Sequence, residues 1–278
     1  MKEQSVKVLS DSEDWAFGQE FSDIKKTAWL GNTLYLYKET DSTNTRARKL
    51  AEEGAAHGSV VLAKIQNAGR GRRGRRWSSP EGAGLYFTIL LKPDVRPDKA
   101  AMLTLVAAMA AAGGIARITG QKPQIKWPND VLLSGKKVCG ILTEMSAENG
   151  YVNHIVVGIG INVRQQVFLP EFADRATALD PECGKAVSEP LLLEAVLEEF
   201  ERYYGLYMQT MDVSLFMEEY NAVLANKNRQ VKVLDPAGAY EGTAHGINAR
   251  GELLVEHRGE IITVNSGEVS VRGIYGYV

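Results

Sequence analysis

The sequence contains little that could form covalent or metal cross-links: two cysteines and four histidines among 278 residues. Cys139 and Cys183 are far apart and lack a second pair, so neither a disulfide framework nor a zinc site is indicated. The charged N-terminus has no apolar stretch of the kind that a secretory signal requires. The longest apolar run, AMLTLVAAMAAA at 101–112, is too short to cross a bilayer and is typical of a buried helix. We therefore expect a cytoplasmic protein that acts away from membranes.

Acidic residues are missing from one stretch, residues 54–80, although Asp and Glu (34) outnumber Lys and Arg (32) in the whole chain. Within that stretch lies GRGRRGRRW, residues 69–77, with five arginines. Proteins that bind nucleic acid mainly by electrostatics usually have a basic domain, whereas the net charge here is −2. A solvated surface loop is the ordinary explanation of a charge run, so a functional role needs support from elsewhere in the chain.

The same loop matches the glycine spacing G-x-G-x-x-G of dinucleotide-binding folds. That motif must open a helix, but RRWSSPEGAG follows here and reads as a loop. A P-loop is also excluded, because no lysine–serine ending is present. Glycines let backbone N–H groups approach an anion and arginines bind phosphate in a bidentate manner, so the loop is suited to closing over a phosphate ester.

Helical and extended patterns are mixed along the chain, which predicts an α+β fold. Consecutive strands on short turns between residues 124 and 163 indicate a mixed, largely antiparallel sheet packed with helices. Three earlier strands are expected at 34–39, 59–66 and 84–91. Helices are expected at 44–53, 97–117, 189–209 and 213–225. After Asn226, short strands separated by turn residues every eight to twelve positions predict a small β-barrel.

Four further segments are as specialised as the arginine loop: DSTN at 41–44, KWPND at 126–130, KKVCGIL at 136–142 and GIGINV at 158–163. Together with GRGRRG, and in this order, they resemble the biotin–protein ligases from about Leu34 to the C-terminus. The resemblance implies an enzyme that activates biotin with ATP and Mg²⁺ as biotinyl-5′-AMP. It also implies transfer of biotin to a lysine of a biotin carboxyl carrier protein, such as that of acetyl-CoA carboxylase.

The resemblance also implies a domain organisation. A class II synthetase-like catalytic domain is expected at 31–225, an SH3-like β-barrel at 226–278 and a linker-like segment at 1–30. Some members of the family repress transcription through an added N-terminal DNA-binding domain, which needs on the order of 50 residues. Only residues 1–33 precede the first predicted strand, so we expect no specific DNA binding and no repressor function. Both monomers and homodimers occur in the family, and the sequence leaves this choice open.

Site residues follow from matching positions. The biotin contacts implied by the resemblance are Ser42, Thr43, Asn44, Gln66, Arg70, Gly71, Arg72 and Lys137. Biotin's ureido ring offers one carbonyl acceptor and two N–H donors, which hydroxyl and amide side chains can satisfy. Ser42 could equally be a simple helix cap, as could its neighbour Asp41. Lys137 is expected to meet the biotin carboxylate and stabilise the charge that develops on it.

The remaining implied roles concern the nucleotide. Lys126, with Lys137 and Arg72, is expected to be catalytic and to meet phosphate. Asn129 and Asn162 resemble positions that bind the adenine end of ATP, although Asn162 could also be a turn residue. Asp130 is expected to place either a magnesium ion or the incoming lysine. Five like charges also lead us to expect that residues 69–77 are mobile in the empty protein and become ordered over biotinyl-AMP.

Two other functions compete with biotin ligation. Lipoate–protein ligases and octanoyltransferases share the fold, but they would require a different glycine-rich motif and would not need GRGRRG. A nucleic-acid-binding module without enzymatic activity is the second. It is disfavoured because the basic loop has a single aromatic residue, Trp77, which is too few for a stacking platform.

Overall fold

Two β-sheets, six helices and a helical fragment at residues 19–21 are the main elements of the part of the chain that the computed structural model describes. That part comprises residues 7–10, 19–21, 24, 27–165, 168, 173–235, 238–266 and 270–273. The strands of the larger sheet are β1 (Lys7–Ser10), β2 (Thr33–Thr40), β3 (Val60–Gln66), β4 (Gly84–Leu91), β5 (Gln124–Lys126), β6 (Asp130–Leu133), β7 (Lys136–Glu148) and β8 (Tyr151–Asn162). The helices are α1 (Thr43–Glu52), α2 (Pro97–Ala100), α3 (Leu103–Thr119), α4 (Leu179–Cys183), α5 (Glu189–Thr210) and α6 (Met217–Val223).

The larger sheet has the strand order β1-β2-β3-β4-β8-β7-β6-β5. The pairs β1–β2 and β2–β3 are parallel, and every other pair is antiparallel. The prediction of an α+β fold with a mixed, largely antiparallel sheet is therefore confirmed. Because β1 lies at the edge of this sheet, four residues of the segment predicted to be linker-like contribute to it. The domain boundaries themselves stay predictions.

Helices cover both faces of the sheet around its centre. All eight residues of β4 are buried, which explains why GLYFTILL is a continuous apolar run rather than an alternating one. On one face, α3 and α5 pack against each other and belong to the main core. On the other face, α1 contributes Ala47 and Ala51 to a smaller cluster with residues of β3, β4 and β8. This second face, beside the N-terminus of α1, is where the polar motifs of the sequence lie.

The helix predicted at 97–117 is split into α2 and α3. Around Ala101 and Met102 the backbone keeps helical angles but its hydrogen bonds span three residues, as in Met102 N–H to Lys99 O at 3.2 Å. By length and composition alone, Pro97–Thr119 could cross a membrane, but most of its apolar window is buried inside the fold. The prediction of a buried helix is confirmed. The helix predicted at 213–225 is shorter than expected, since α6 covers only Met217–Val223.

The smaller sheet lies at the C-terminal end of the chain and is antiparallel throughout, with the order β12-β11-β10-β9-β13. Its strands are β9 (Arg229–Asp235), β10 (Gly238–Ile247), β11 (Leu253–His257), β12 (Glu260–Val264) and β13 (Ser270–Gly273). The predicted C-terminal all-β unit is thus confirmed.

Trp127 fastens this smaller sheet to the larger one. Its indole N–H donates to Gly251 O at 3.0 Å, and its backbone N–H donates to Asn226 Oδ1 at 2.8 Å. The side chain is 2% exposed. The tryptophan of KWPND therefore has a structural role, because its two donors both bind residues that precede or belong to the C-terminal unit.

The contact between α3 and α5 generates a stability prediction for two adjacent glycines. A methyl group at Gly114 would lie 2.9 Å from the backbone N of Val196, whereas one at Gly113 would meet only the flexible side chain of Glu199 at 3.1 Å. We expect Gly114→Ala to destabilise the fold by about 1–3 kcal/mol, because the backbone of α5 must shift. The matched Gly113→Ala variant should be neutral or gain up to about 1 kcal/mol from helix propensity. Thermal unfolding followed by circular dichroism measures both, and equal midpoints for the two variants would contradict this packing.

Candidate active site

A cleft opens on the α1 side of the larger sheet, between the N-terminus of α1, the arginine loop and the strands β7 and β8. It encloses about 460 Å³, part of which is open to solvent. The residues predicted to contact biotin all line it: Ser42, Thr43, Asn44, Gln66, Arg70, Gly71, Arg72 and Lys137. Asn129 lines it as well. The structure thus brings together segments that are separated by up to about a hundred positions in the chain.

The polar end of the cleft is cross-linked by Gln66. The side-chain oxygen of Gln66 accepts hydrogen bonds from Thr43 N at 2.9 Å and Thr43 Oγ1 at 3.2 Å, and its Nε2 donates to Ser79 Oγ at 2.8 Å. Ser42 occupies the N-cap position of α1 but makes no side-chain cap hydrogen bond. Asp41 instead accepts from the Ser42 backbone N–H at 2.7 Å. Neither residue therefore caps α1 in the way that the sequence allowed, and the buried Ser42 hydroxyl is not used by the helix.

Asn44 is held by the protein on every side. Its Nδ2 donates to Leu142 O at 3.2 Å and to Glu144 Oε2 at 2.8 Å, and its Oδ1 accepts from Thr88 Oγ1 at 2.7 Å. A methyl group at Gly158 would lie 2.2 Å from Asn44 Oδ1, so only glycine leaves room for the amide there. Both amide hydrogens of Asn44 are therefore already bonded within the protein. We infer that the side chain mainly positions Glu144 and Thr88.

The arginine loop folds back on itself. Arg70 and Arg76 form an isolated antiparallel bridge, Gly71 N donates to Arg75 O at 2.8 Å, and only residues Arg72–Gly74 form a short 3₁₀ turn. Arg73 within this turn has a left-handed backbone, with φ of 58°. The loop therefore opens no long helix, which agrees with the rejection of a dinucleotide fingerprint.

Distant residues balance the charge of this loop. Arg70 Nη2 lies 2.9 Å from Glu144 Oε1. Arg72 donates to Asn129 Oδ1 at 2.9 Å and to the backbone oxygen of Ser266 in the C-terminal unit. Burial lowers the pKa of the Arg72 guanidinium from its usual value, and Asp130 opposes that shift. An arginine nevertheless stays charged at neutral pH, so the mouth of the cleft is cationic.

Lys137 points into the cleft from β7. Its Nζ lies 2.6 Å from Asp130 Oδ1 and 5.2 Å from the centre of the Trp77 ring. The side chains of Lys137 and Asp130 are 22% and 14% exposed, so the pair is only partly shielded from water. Its neighbour Lys136 is exposed. The carboxylate fixes the ammonium group on the cleft side of the β6–β7 hairpin.

The residues around Asp130 limit how a metal ion could be held. Among the described residues, no group of three or more acidic, histidine or cysteine side chains is arranged for a metal ion. Mg²⁺ commonly uses one or two protein carboxylates and takes its other ligands from phosphates and water. Asp130 fits this pattern, because it supplies a single carboxylate beside the cationic mouth of the cleft.

Two residues predicted to bind the nucleotide do not line the cleft. Lys126 is 7% exposed on β5, and Asn162, at the end of β8, is 4% exposed and donates to Thr177 O at 3.1 Å. The hydrogen bond of Asn162 is that of a residue that fixes the chain after β8, which was the alternative left open by the sequence. The nucleotide roles of both residues stay predictions.

Trp77 belongs to the cleft, a position that its sequence context did not predict. Methyl groups at Gly140 and Gly160 would lie 2.8 Å and 2.5 Å from its indole ring, so these glycines let the ring lie against β7 and β8. Its Nε1 is buried and has no hydrogen-bond partner among the described residues. The alternating glycines of GIGINV could have indicated that another segment approaches β8 closely. No local pattern indicated that Glu144 or Ser79 lies next to the cleft.

Comparison with known proteins gives this geometry its context. The model of the Biotin/lipoate A/B protein ligase family matches residues 36–162, and that of the Biotin protein ligase C terminal domain matches residues 228–272. The two matches fall on the larger and the smaller sheet, respectively.

Individual relatives agree with the family models. The chain is 38% identical over 250 residues to the Bifunctional ligase/repressor BirA of Bacillus subtilis (strain 168), which covers 88% of this chain and 76% of the relative. It is 40% identical over 215 residues to the Biotin–[acetyl-CoA-carboxylase] ligase of Paracoccus denitrificans, covering 75% and 86%. The structure of the biotin protein ligase from Aquifex aeolicus in complex with biotin and ATP superposes with a TM-score of 0.76 at 33% identity, covering 86% of this chain and 98% of that one. The chain belongs to the biotin protein ligase family.

Proposed function

We propose that this protein activates biotin with ATP and transfers it to a lysine of a biotin carboxyl carrier protein. One observation carries the proposal: a single cleft joins a hydrogen-bonding end, an apolar floor and a cationic mouth. Biotin has the same order of parts, namely a ureido ring, an aliphatic chain and a carboxylate. The relative from Paracoccus denitrificans, named for biotin ligation to acetyl-CoA carboxylase, supports the choice of carrier.

The polar end of the cleft, around Ser42 and Gln66, would hold the ureido ring. Ser42 is 3% exposed and its hydroxyl is not used to cap α1, so it is available to a ligand. Gln66 still has one amide hydrogen beyond the one given to Ser79. Leu142 and Trp77 line the floor together with the backbone of Gly158 and Gly160, and an aliphatic chain would displace water there.

In the first half-reaction, the biotin carboxylate oxygen attacks the α-phosphorus of ATP, and the bond to the bridging oxygen of pyrophosphate breaks. Lys137, fixed by Asp130, holds the carboxylate in line for this attack. Arg72 would neutralise charge on the phosphate. A magnesium ion bound with ATP, partly through Asp130, would shield the polyphosphate charge.

In the second half-reaction, the ε-amine of the carrier lysine attacks the acyl carbon of biotinyl-5′-AMP and AMP leaves. This route needs no covalent intermediate with the enzyme. The cysteine nearest to Lys137 fits that expectation: Cys139 is fully buried in β7, and burial raises the pKa of its thiol, so it is a poor nucleophile. We propose ligation alone, with no repressor function.

The direct test is to incubate the protein with biotin, MgATP and a carrier domain and to weigh the carrier by mass spectrometry. Lipoate in place of biotin is the control that separates the two kinds of ligase. We expect one biotinyl group on one lysine of the carrier and no lipoylation. Lipoylation without biotinylation would reject the proposal.

Lys137→Ala should abolish adenylate formation while the fold is kept, because the assigned role is local and electrostatic. We expect pyrophosphate release in the presence of biotin to fall by about 10²-fold or more. The exposed neighbour offers a matched control, since Lys136→Ala removes the same charge outside the cleft and should retain wild-type rates. Normal pyrophosphate release by the Lys137 variant would show that the assignment is wrong.

Arg72→Gly should let the adenylate escape from the cleft. Its guanidinium joins the loop to Asn129 and Ser266, so its removal loosens closure over the reactive anhydride. We expect nonspecific labelling of amines on bystander proteins, detected with streptavidin. Arg75→Gly, at an exposed position of the same loop, should label no more than wild type.

Biotin with ATP should protect the arginine loop from trypsin. Ordering a loop costs roughly 1 kcal/mol or more per residue. Phosphate contacts would add to those of Arg70 with Glu144 and of Arg72 with Asn129, which already restrain the loop. We expect cleavage after Arg70 to Arg76 to be slower with both substrates than with either one alone. Equal cleavage rates in all states would mean that the loop is only a solvated basic patch.

A further inference from the structure

Glu144 is a partly buried acid on β7, two residues beyond Leu142, which lines the cleft. Successive side chains of a strand alternate between its faces, so Glu144 and Leu142 point to the same face of the sheet. None of the motifs quoted for the family includes this glutamate. Its side chain is 19% exposed. Glu144 is absent from the residues that line the cleft, so it can act on the cleft only through its partners.

The two carboxylate oxygens of Glu144 bind two different segments. Oε2 accepts from Asn44 Nδ2 at 2.8 Å, and Oε1 lies 2.9 Å from Arg70 Nη2. The first partner stands at the start of α1 and the second at the start of the arginine loop. A carboxylate that divides its oxygens in this way fixes the distance between the two segments.

The Asn44 side of this bridge is rigid. The second amide hydrogen of Asn44 is given to Leu142 O, its oxygen accepts from Thr88 Oγ1, and its side chain is 2% exposed. The absence of a side chain at Gly158 is what allows the amide to lie so close to β8. Because a buried amide with these three bonds has a single orientation, Glu144 is held firmly from the side of α1.

The Arg70 side faces the ligand. Arg70 lines the cleft, and its side chain is 44% exposed. A guanidinium has five N–H donors in one plane, so the contact of Nη2 with Glu144 leaves other donors for an anion or a carbonyl oxygen. Arg70 also begins the loop through its bridge with Arg76. An arginine held from behind keeps these donors aimed into the cleft.

We propose that Glu144 is a positioning residue for biotin binding, which acts through Arg70. This inference rests on the proposed function. Glu144 orients the guanidinium before biotin arrives, so its loss lowers the fraction of protein with a binding-competent loop. Pre-organisation of this kind changes the KM for biotin more than it changes the rate of the bound complex.

Glu144→Gln is the sharpest variant, because glutamine keeps an oxygen for Asn44 but loses the charge that holds Arg70. A charge-assisted contact that is partly exposed is expected to be worth a factor of about ten. We therefore expect the KM for biotin to rise about 10-fold, with kcat changed by less than about 3-fold. Glu148→Gln, at the exposed end of the same strand, should keep the wild-type KM.

A double-mutant cycle separates positioning from a general structural role. If Glu144 acts through Arg70, Glu144→Gln should have no further effect on KM in an Arg70→Ala protein. A rise in the KM for biotin of the same size in both backgrounds would overturn the proposal, since it would mean that Glu144 acts through α1 alone.

Hydrogen–deuterium exchange of the ligand-free protein tests the same contact without catalysis. We expect faster exchange of the amides of residues 69–77 in Glu144→Gln than in wild type or Glu148→Gln. If wild type releases no pyrophosphate with biotin and ATP, the proposed function fails, and the exchange comparison then judges the Glu144–Arg70 contact by itself. Unchanged exchange in Glu144→Gln, with wild-type circular dichroism, would overturn the proposal whatever the outcome of the enzyme assay.

Discussion

Charge balance across the cleft is the constraint on which the site depends. Five arginines between residues 70 and 76 repel one another, and the chain around them supplies no acid. The compensating carboxylates come from β6 and β7: Asp130 lies beside Lys137 and Arg72, and Glu144 lies beside Arg70. The mouth of the cleft therefore stays cationic but close enough to neutral to pack against a sheet.

The second requirement is that β8 carry no side chains where the cleft meets the sheet. Gly158 and Gly160 alternate on β8, so both face the cleft side, and neither carries an atom beyond the backbone there. One makes room for the amide of Asn44 and the other for the indole of Trp77. Asn44 and Trp77, which come from different segments, therefore both pack against β8. The two glycines thus set the distance between the start of α1 and the end of the arginine loop.

Much of the fold followed from the sequence, and the residues predicted to contact biotin lie around one cleft. The strand at 84–91, the hairpin of β7 and β8 and the helix after DSTN were all expected, because their apolar periodicity and turn residues act locally. The break between α2 and α3 was not expected, since Ala101 and Met102 are good helix formers and nothing nearby marks the tightened turn.

The sequence alone could not predict which residues the charged side chains contact. Arg70 and Glu144 meet only once β3, β4, β8 and β7 have paired in order, and no local pattern records that order. The same holds for Lys126 and Asn162, whose motifs indicated a nucleotide role while their burial places them outside the cleft. A motif can name the residues near a site, but the strand register decides which of them face it.

The contact between Arg72 and Ser266 has a consequence for how the C-terminal unit tolerates change. Arg72 binds the backbone oxygen of residue 266, so the identity of the side chain at that position is immaterial to the bond. The step from Val264, where β12 ends, to Ser266 does matter, because a residue inserted or deleted there would carry that oxygen away from the guanidinium. Substitutions at position 266 should therefore leave this bond intact, whereas the chain length between β12 and position 266 is constrained by an arginine almost two hundred residues earlier.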